Sequence, residues 1–196
     1  MGMRVQKSAN LRTSGEGLLL LLGGAFFVGV LAGSLLCVRM PGVGQLFAAG
    51  GQASGGLWQR FWPDGALLGM IFLAAWLRGG CLLTLLAVGV KGFLAAAQAT
   101  GWVLALERAG YGAAVSQVLL PGLLSLAAML LLGRQAMGWS VQRQRLPGGK
   151  GRMRGPDSTF FLTAAICLVL TVLSAAAACW LSPRLWQTVQ TFLPMQ

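Results

Sequence analysis

The sequence predicts an all-α, polytopic integral membrane protein of about five transmembrane helices, with its N-terminus cytoplasmic and its C-terminus outside. Three observations carry that prediction. Only 10 % of the 196 residues are charged, against about 25 % in soluble domains, and the mean hydropathy is +0.72. The apolar residues come in long runs, the first being "LLLLLGGAFFVGVLAGSLLCV", and about 20 such residues in a helix cross a hydrocarbon core of roughly 30 Å. The basic residues collect in the segments between the runs, which is how membrane topology is encoded. The lipid bilayer is therefore the first partner. The net charge of +11 reads as a topology signal and not as a nucleic-acid footprint, because no basic patch outside the apolar runs carries interleaved aromatics.

The whole chain, 1–196, reads as one membrane domain. Span one is 18–38. It begins after a long polar lead and is too long for a cleaved signal segment. A short Gly-rich outer loop follows, "RMPGVGQLFAAGGQASGGLWQRFW". The region 61–106 is too long for one helix and offers two turns, Arg78-Gly79-Gly80 or Lys91-Gly92. Tryptophans favour the two membrane interfaces, and a turn at Arg78 puts Trp62 and Trp76 at opposite ends of a span and Trp102 near the outer end of the next. A Gly-Gly pair is also a turn signal. Spans two and three are thus set at 61–77 and 81–106, the latter long enough to require tilt or projection.

Span four is 113–132, span five 160–181, and between them lies a cytoplasmic basic loop, 134–159. Its Pro and Gly content suggests flexibility, and its basic residues could touch anionic headgroups. Arg4, Lys7, Arg12, Arg78, Arg134, Arg143, Arg145, Lys150, Arg152 and Arg154 fall on one side, and Arg39, Arg60, Arg108 and Arg184 on the other. The richer side is cytoplasmic. In the tail, Leu185, Val189, Phe192 and Leu193 stand at helical spacing, as in a short amphipathic helix on the outer face where a partner could dock.

Catalytic chemistry is hard to place on this chain. It has no histidine, and its four acids, Glu16, Asp64, Glu107 and Asp157, fall near span ends or in loops. An intramembrane hydrolase needs a nucleophile with a base, paired acids or metal ligands. The expectation is a protein that is not an enzyme, with no catalytic residues, no cofactor and no metal. Cys37, Cys81, Cys167 and Cys179 lack metal-type spacing and read as small buried hydrophobes.

One line of polar residues stands out inside the spans. Thr84, Lys91 and Gln98 lie seven apart and share a helix face with a drift of about 20° per heptad. With no acid read into the spans, Lys91 either snorkels to the cytoplasmic interface or faces the bundle interior or a partner and fixes helix register. Ser116, Gln117 and Ser125 of span four, near Pro121, are its candidate neighbours. The missing acid argues against a proton relay and for packing or assembly. Gly29 with Gly33 and Gly65 with Gly69 match the small-xxx-small spacing that lets membrane helices approach closely; Gly92 and Pro121 join them as helix-packing candidates.

The segment "LLTLLAVGVKGFLAAAQATGWVLALERAGYGAAVSQVLLPGLLSLAAMLLLG" resembles the stage II sporulation protein M family of spore-forming Firmicutes. That family has an apolar run ending in Lys-Gly, here Lys91-Gly92, then an aromatic-and-glycine helix, a Gly-containing turn, here Gly110 to Gly112, and "LP" early in the next span, here Leu120-Pro121. The ending "CWLSPRLWQTVQTFL" resembles the family's last span and tail. Members often carry Gln-Asn after the proline where this chain has Gly122-Leu123, so that polar pair is not available here as a partner contact. The resemblance implies a mother-cell membrane protein of forespore engulfment: a scaffold for two peptidoglycan hydrolases, the stage II sporulation proteins D and P, which work on the outer side of the membrane. From a different class, the same residues also allow a small permease subunit of a transporter, with a wet face along Thr84, Lys91 and Gln98.

Overall fold

The computed structural model describes the backbone of residues 2–52, 56–145 and 156–192, and within them the side chains of 16–40, 42–47, 56–106, 110–112, 114–116, 118–142, 156–180 and 184. Every element is helical: α1 (Gly2–Arg39), α2 (Pro41–Gln52), α3 (Leu57–Ala74), α4 (Gly80–Ala114), a π-helical turn (Val115–Leu119), α5 (Leu120–Arg145) and α6 (Ser158–Phe192). Among the described residues four segments are long and apolar enough to cross a membrane: Glu16–Arg39, Gly80–Leu106, Leu120–Gln142 and Ser158–Trp180. The chain is an all-α, multi-pass membrane protein. Large apolar side chains crowd its outside, among them Leu20, Phe27, Val28, Leu31, Leu162 and Val169, a surface that suits lipid and that a soluble monomer does not present.

Parallel packing of α1 on α4 organises the fold. Gly29 lies directly on the carbonyl oxygen of Gly89, Gly33 on that of Phe93, and Gly92 on that of Phe26. A Cβ at Gly29 would also fall 2.9 Å from the Gly89 carbonyl carbon and 3.0 Å from the Phe93 nitrogen. Only glycine lets two backbones meet this closely. Further along, the Cys37 thiol reaches the Ala97 carbonyl at 3.5 Å. Residue numbers rise together along the contact, so the two helices run in the same direction.

α2, α3 and α5 run against α4. The chain turns at Ala75–Gly79, where Arg78 and Gly79 stand, and α3 pairs with α4 as an antiparallel hairpin. α2, read from sequence as an outer loop, is a helix that doubles back along α4: Gly44 lies against Gly101 and Leu104, and Phe47 meets Phe93 edge-on at 6.3 Å. Near Gly110 the helical chain bends sharply. Residues 102 and 110 would be about 12 Å apart along a straight helix, yet Gly110 lies on the backbone of Trp102 and Val103, and Trp102 packs with Ala114 and Val118. Trp102 is thus buried inside this reversal, not set at the lipid interface. Trp62 and Trp76, at the two ends of the α3 region, are exposed.

The π-helical turn precedes Pro121, with the Leu120 N–H bonded to the Val115 carbonyl. Proline has no N–H and its ring crowds the carbonyl four residues back, and one wide turn absorbs the misfit. α5 begins later than the 113–132 span predicted and continues through Arg145. The segment placed at the start of the basic loop is therefore helix, and its Ala136, Met137 and Ser140 are fully buried. The tail predicted as a separate helix continues α6 to Phe192; the side chains of Leu185, Val189, Phe192 and Leu193 lie outside the described residues. One core joins α1, α3, α4, α5 and α6 through Leu22, Ile71, Val88, Met129, Leu132, Met137 and Phe160.

Candidate functional site

The lone cation of the apolar runs has an acid after all. Lys91 Nζ donates to Asp64 Oδ1 at 2.6 Å, and the two side chains are only 13 % and 17 % exposed. Linear position makes Asp64 a span-end residue without a role, and the structure corrects that expectation. The cause is the hairpin. Asp64 stands thirteen residues before Leu77, and Lys91 thirteen after Arg78, so a turn between them brings the two opposite each other. Lys91 lies about 16 Å along α4 from Gly80 by the helical rise, roughly half the depth of a hydrocarbon core. Of the two outcomes open to Lys91, interior pairing is the one realised, its ammonium meeting the carboxylate on α3.

A charge-assisted bond of this length is among the strong ones. Its Coulomb attraction is about 6 kcal/mol at an effective dielectric of 20, before desolvation is subtracted. Desolvation offsets much of that, but removing one partner leaves an uncompensated buried charge, at a cost of roughly 3–5 kcal/mol.

The polar stripe does not act as one line. Thr84 is fully buried, its hydroxyl donates to its own Gly80 carbonyl at 2.9 Å, and its methyl abuts Gly133. Lys91 turns to α3. Gln98 is partly buried in the C-terminal half of α4. The glycines divide as well: Gly29, Gly33 and Gly92 form the α1–α4 contact, Gly65 is covered by the ring of its own Phe61, and Gly69 meets nothing. Pro121 offers its carbonyl to the Ser174 hydroxyl of α6 at 2.7 Å.

Other polar side chains, which sequence reasoning missed, also tie helix to helix. Arg60 Nη1 on α3 donates to the Ala178 carbonyl on α6 at 2.9 Å. Ser140 on α5 closes the α3–α4 turn, accepting from the Cys81 N–H at 3.2 Å and donating to the Leu77 carbonyl at 3.1 Å. Gln135 Nε2 on α5 donates to the Thr163 hydroxyl on α6 at 3.0 Å. Among the described residues Gln135 Oε1 is the one buried side-chain polar atom with no partner. No three Cys, Asp or Glu residues converge among them, and all four cysteines are free thiols.

The fold and these ties define a class: a helical membrane protein whose polar groups at membrane depth bind its own helices to one another. Compared with protein-family models, curated proteins and solved structures, the chain matches none.

Proposed function

We propose that the chain is a non-enzymatic membrane scaffold with five crossings, N-terminus inside and C-terminus outside. The parallel pairing of α1 with α4 supports the count. For both helices to run outward, the chain must return between them; α2, with 12 residues, is too short to cross, and α3 is the longer element that runs the other way. Its 18 residues span about 27 Å. The α3–α4 turn with Arg78 and the α5–α6 connection then share the cytoplasmic side with the N-terminus, in keeping with the excess of Lys and Arg there.

The observation that carries the scaffold reading is the engagement of Lys91, Arg60, Ser140, Gln135 and Ser174 in ties between helices. Such ties fix a rigid frame instead of presenting a reactive group. The resemblance to the stage II sporulation protein M family suggests what the frame holds: two peptidoglycan hydrolases, gathered at the mother-cell membrane during engulfment. With α2 packed on α4, the docking segment proposed for the hydrolases is the C-terminal tail, on its sequence pattern of Leu185, Val189, Phe192 and Leu193. The test is recovery of the full chain from sporulating cells in mild detergent. The two hydrolases are expected to co-purify with it, and recovery of neither would refute their assembly on this scaffold.

A second reading, a small permease subunit, is favoured by one observation. Opposite charges paired at half the membrane depth are a recurrent feature of transport pathways, and this pair is not wholly sealed. It predicts an ATPase as the co-purifying protein.

A further inference from the structure

We propose that Lys91 is what carries α3 across the membrane: α3 inserts as a hairpin with α4, its Asp64 neutralised by Lys91. The inference rests on the crossing of α3 proposed above. Alone among the helices of the bundle core, α3 falls outside the four segments apolar enough to cross unaided. Gln59, Arg60, Pro63 and Asp64 all lie in its first half. Pro63 withholds an N–H from the helix, and Asp64 brings a charge to membrane depth. An unpaired aspartate at the centre of a span shifts insertion by on the order of 100-fold against crossing.

Two partners relieve α3, and they are made at different times. Arg60 bonds to Ala178 on α6, the last helix of the chain. Asp64 bonds to Lys91, which follows it by 27 residues across a five-residue turn. Lys91 is therefore available while α6 has yet to be made. The two charges are also unequal. α4 is apolar enough to cross unaided, and a lysine stem can lead its ammonium toward the surface. The short side chain of Asp64 cannot do this, and it sits on the weaker helix. The dependence thus runs one way: α3 needs Lys91, whereas α4 does not need Asp64.

That asymmetry separates an insertion device from a plain folded-state tie. The measurement uses the full chain with Gly79→Cys in the exposed turn, and with Cys81→Ala and Cys179→Ala to remove the two partly exposed thiols. Newly made, pulse-labelled chains are treated from outside with a membrane-impermeant maleimide, before turnover can remove misinserted protein. Without further change the turn is expected to be unreactive; reactivity there would overturn the crossing of α3 itself and the five-span reading with it. Lys91→Leu is expected to raise outside labelling at least about tenfold, given the cost of a lone aspartate. Asp64→Leu, and Asp64→Leu with Lys91→Leu, are expected to stay near the starting level. Lys91→Leu without effect overturns the inference while leaving the crossing intact. Equal damage from Lys91→Leu and Asp64→Leu overturns it as well.

Discussion

Alanine at Gly29 tests the α1–α4 contact that sets the direction of the whole bundle. The new methyl would fall on the Gly89 carbonyl oxygen, and at 2.9 Å and 3.0 Å from the Gly89 carbonyl carbon and the Phe93 nitrogen. All three are backbone atoms, so no side chain can swing aside. Restoring an ordinary van der Waals separation from the oxygen, the nearest of the three, requires the helices to part by more than about 1 Å, a gap that forfeits about half or more of each dispersion contact it opens. Overpacking of this kind costs about 2 kcal/mol. In a chain of this size that lowers the melting temperature by roughly 4–8 °C. Thermal unfolding in mild detergent reads it, with Gly24→Ala as the matched control, since Gly24 lies on the same helix with nothing within 4 Å. If the two variants melt together, the close approach of α1 and α4 is wrong.

Three further outcomes follow from the ties. A double-mutant cycle on Asp64→Asn and Lys91→Met is expected to give strong coupling. Each single change costs roughly 3 kcal/mol or more and the pair together clearly less than the sum, as measured by denaturation; additive losses would mean the ion pair does not form. Ser140→Ala removes the acceptor of the Cys81 N–H, while the Leu77 carbonyl keeps the Gly80 N–H at 3.2 Å, so about 1 kcal/mol of stability is expected to be lost. Ser174→Ala removes the bond to Pro121 and is expected to cost about 1 kcal/mol, seen as a lower melting temperature with the fold retained by circular dichroism.

Much of the bundle is legible in the sequence because hydrophobic run length dictates where a helix can cross. The stretches beginning near Leu18, Cys81 and Phe160 need nothing else. The turn at Arg78–Gly79 is legible through the Gly79–Gly80 pair and through Trp62 and Trp76, which stand exposed at the two ends of the α3 region. What escapes is tertiary. Ser140 and Gln135 read as loop because they are polar, but the α3–α4 turn and Thr163 give them partners that a linear pattern does not display. α2 reads as loop because it is glycine-rich, yet it packs along α4, with Gly44 against Gly101 and Leu104. Asp64 is the instructive miss. Its proximity to a span end conceals it, although a turn at Arg78 already sets it level with Lys91. Equal spacing from the turn is the available signal, and charge alone, counted along the chain, cannot reveal it.

Water access along α4 tests most directly whether these polar groups are internal ties. Single cysteines at positions 84, 88 and 98, which keep Lys91 in place, probed in membranes with a small water-soluble thiol reagent from both sides, report it. A scaffold held by its own polar ties is expected to leave positions 84 and 88 unreactive, because Thr84 and Val88 are fully buried. Rapid labelling of all three positions, continuous from one side of the membrane, would contradict the scaffold and establish a wet pathway in its place.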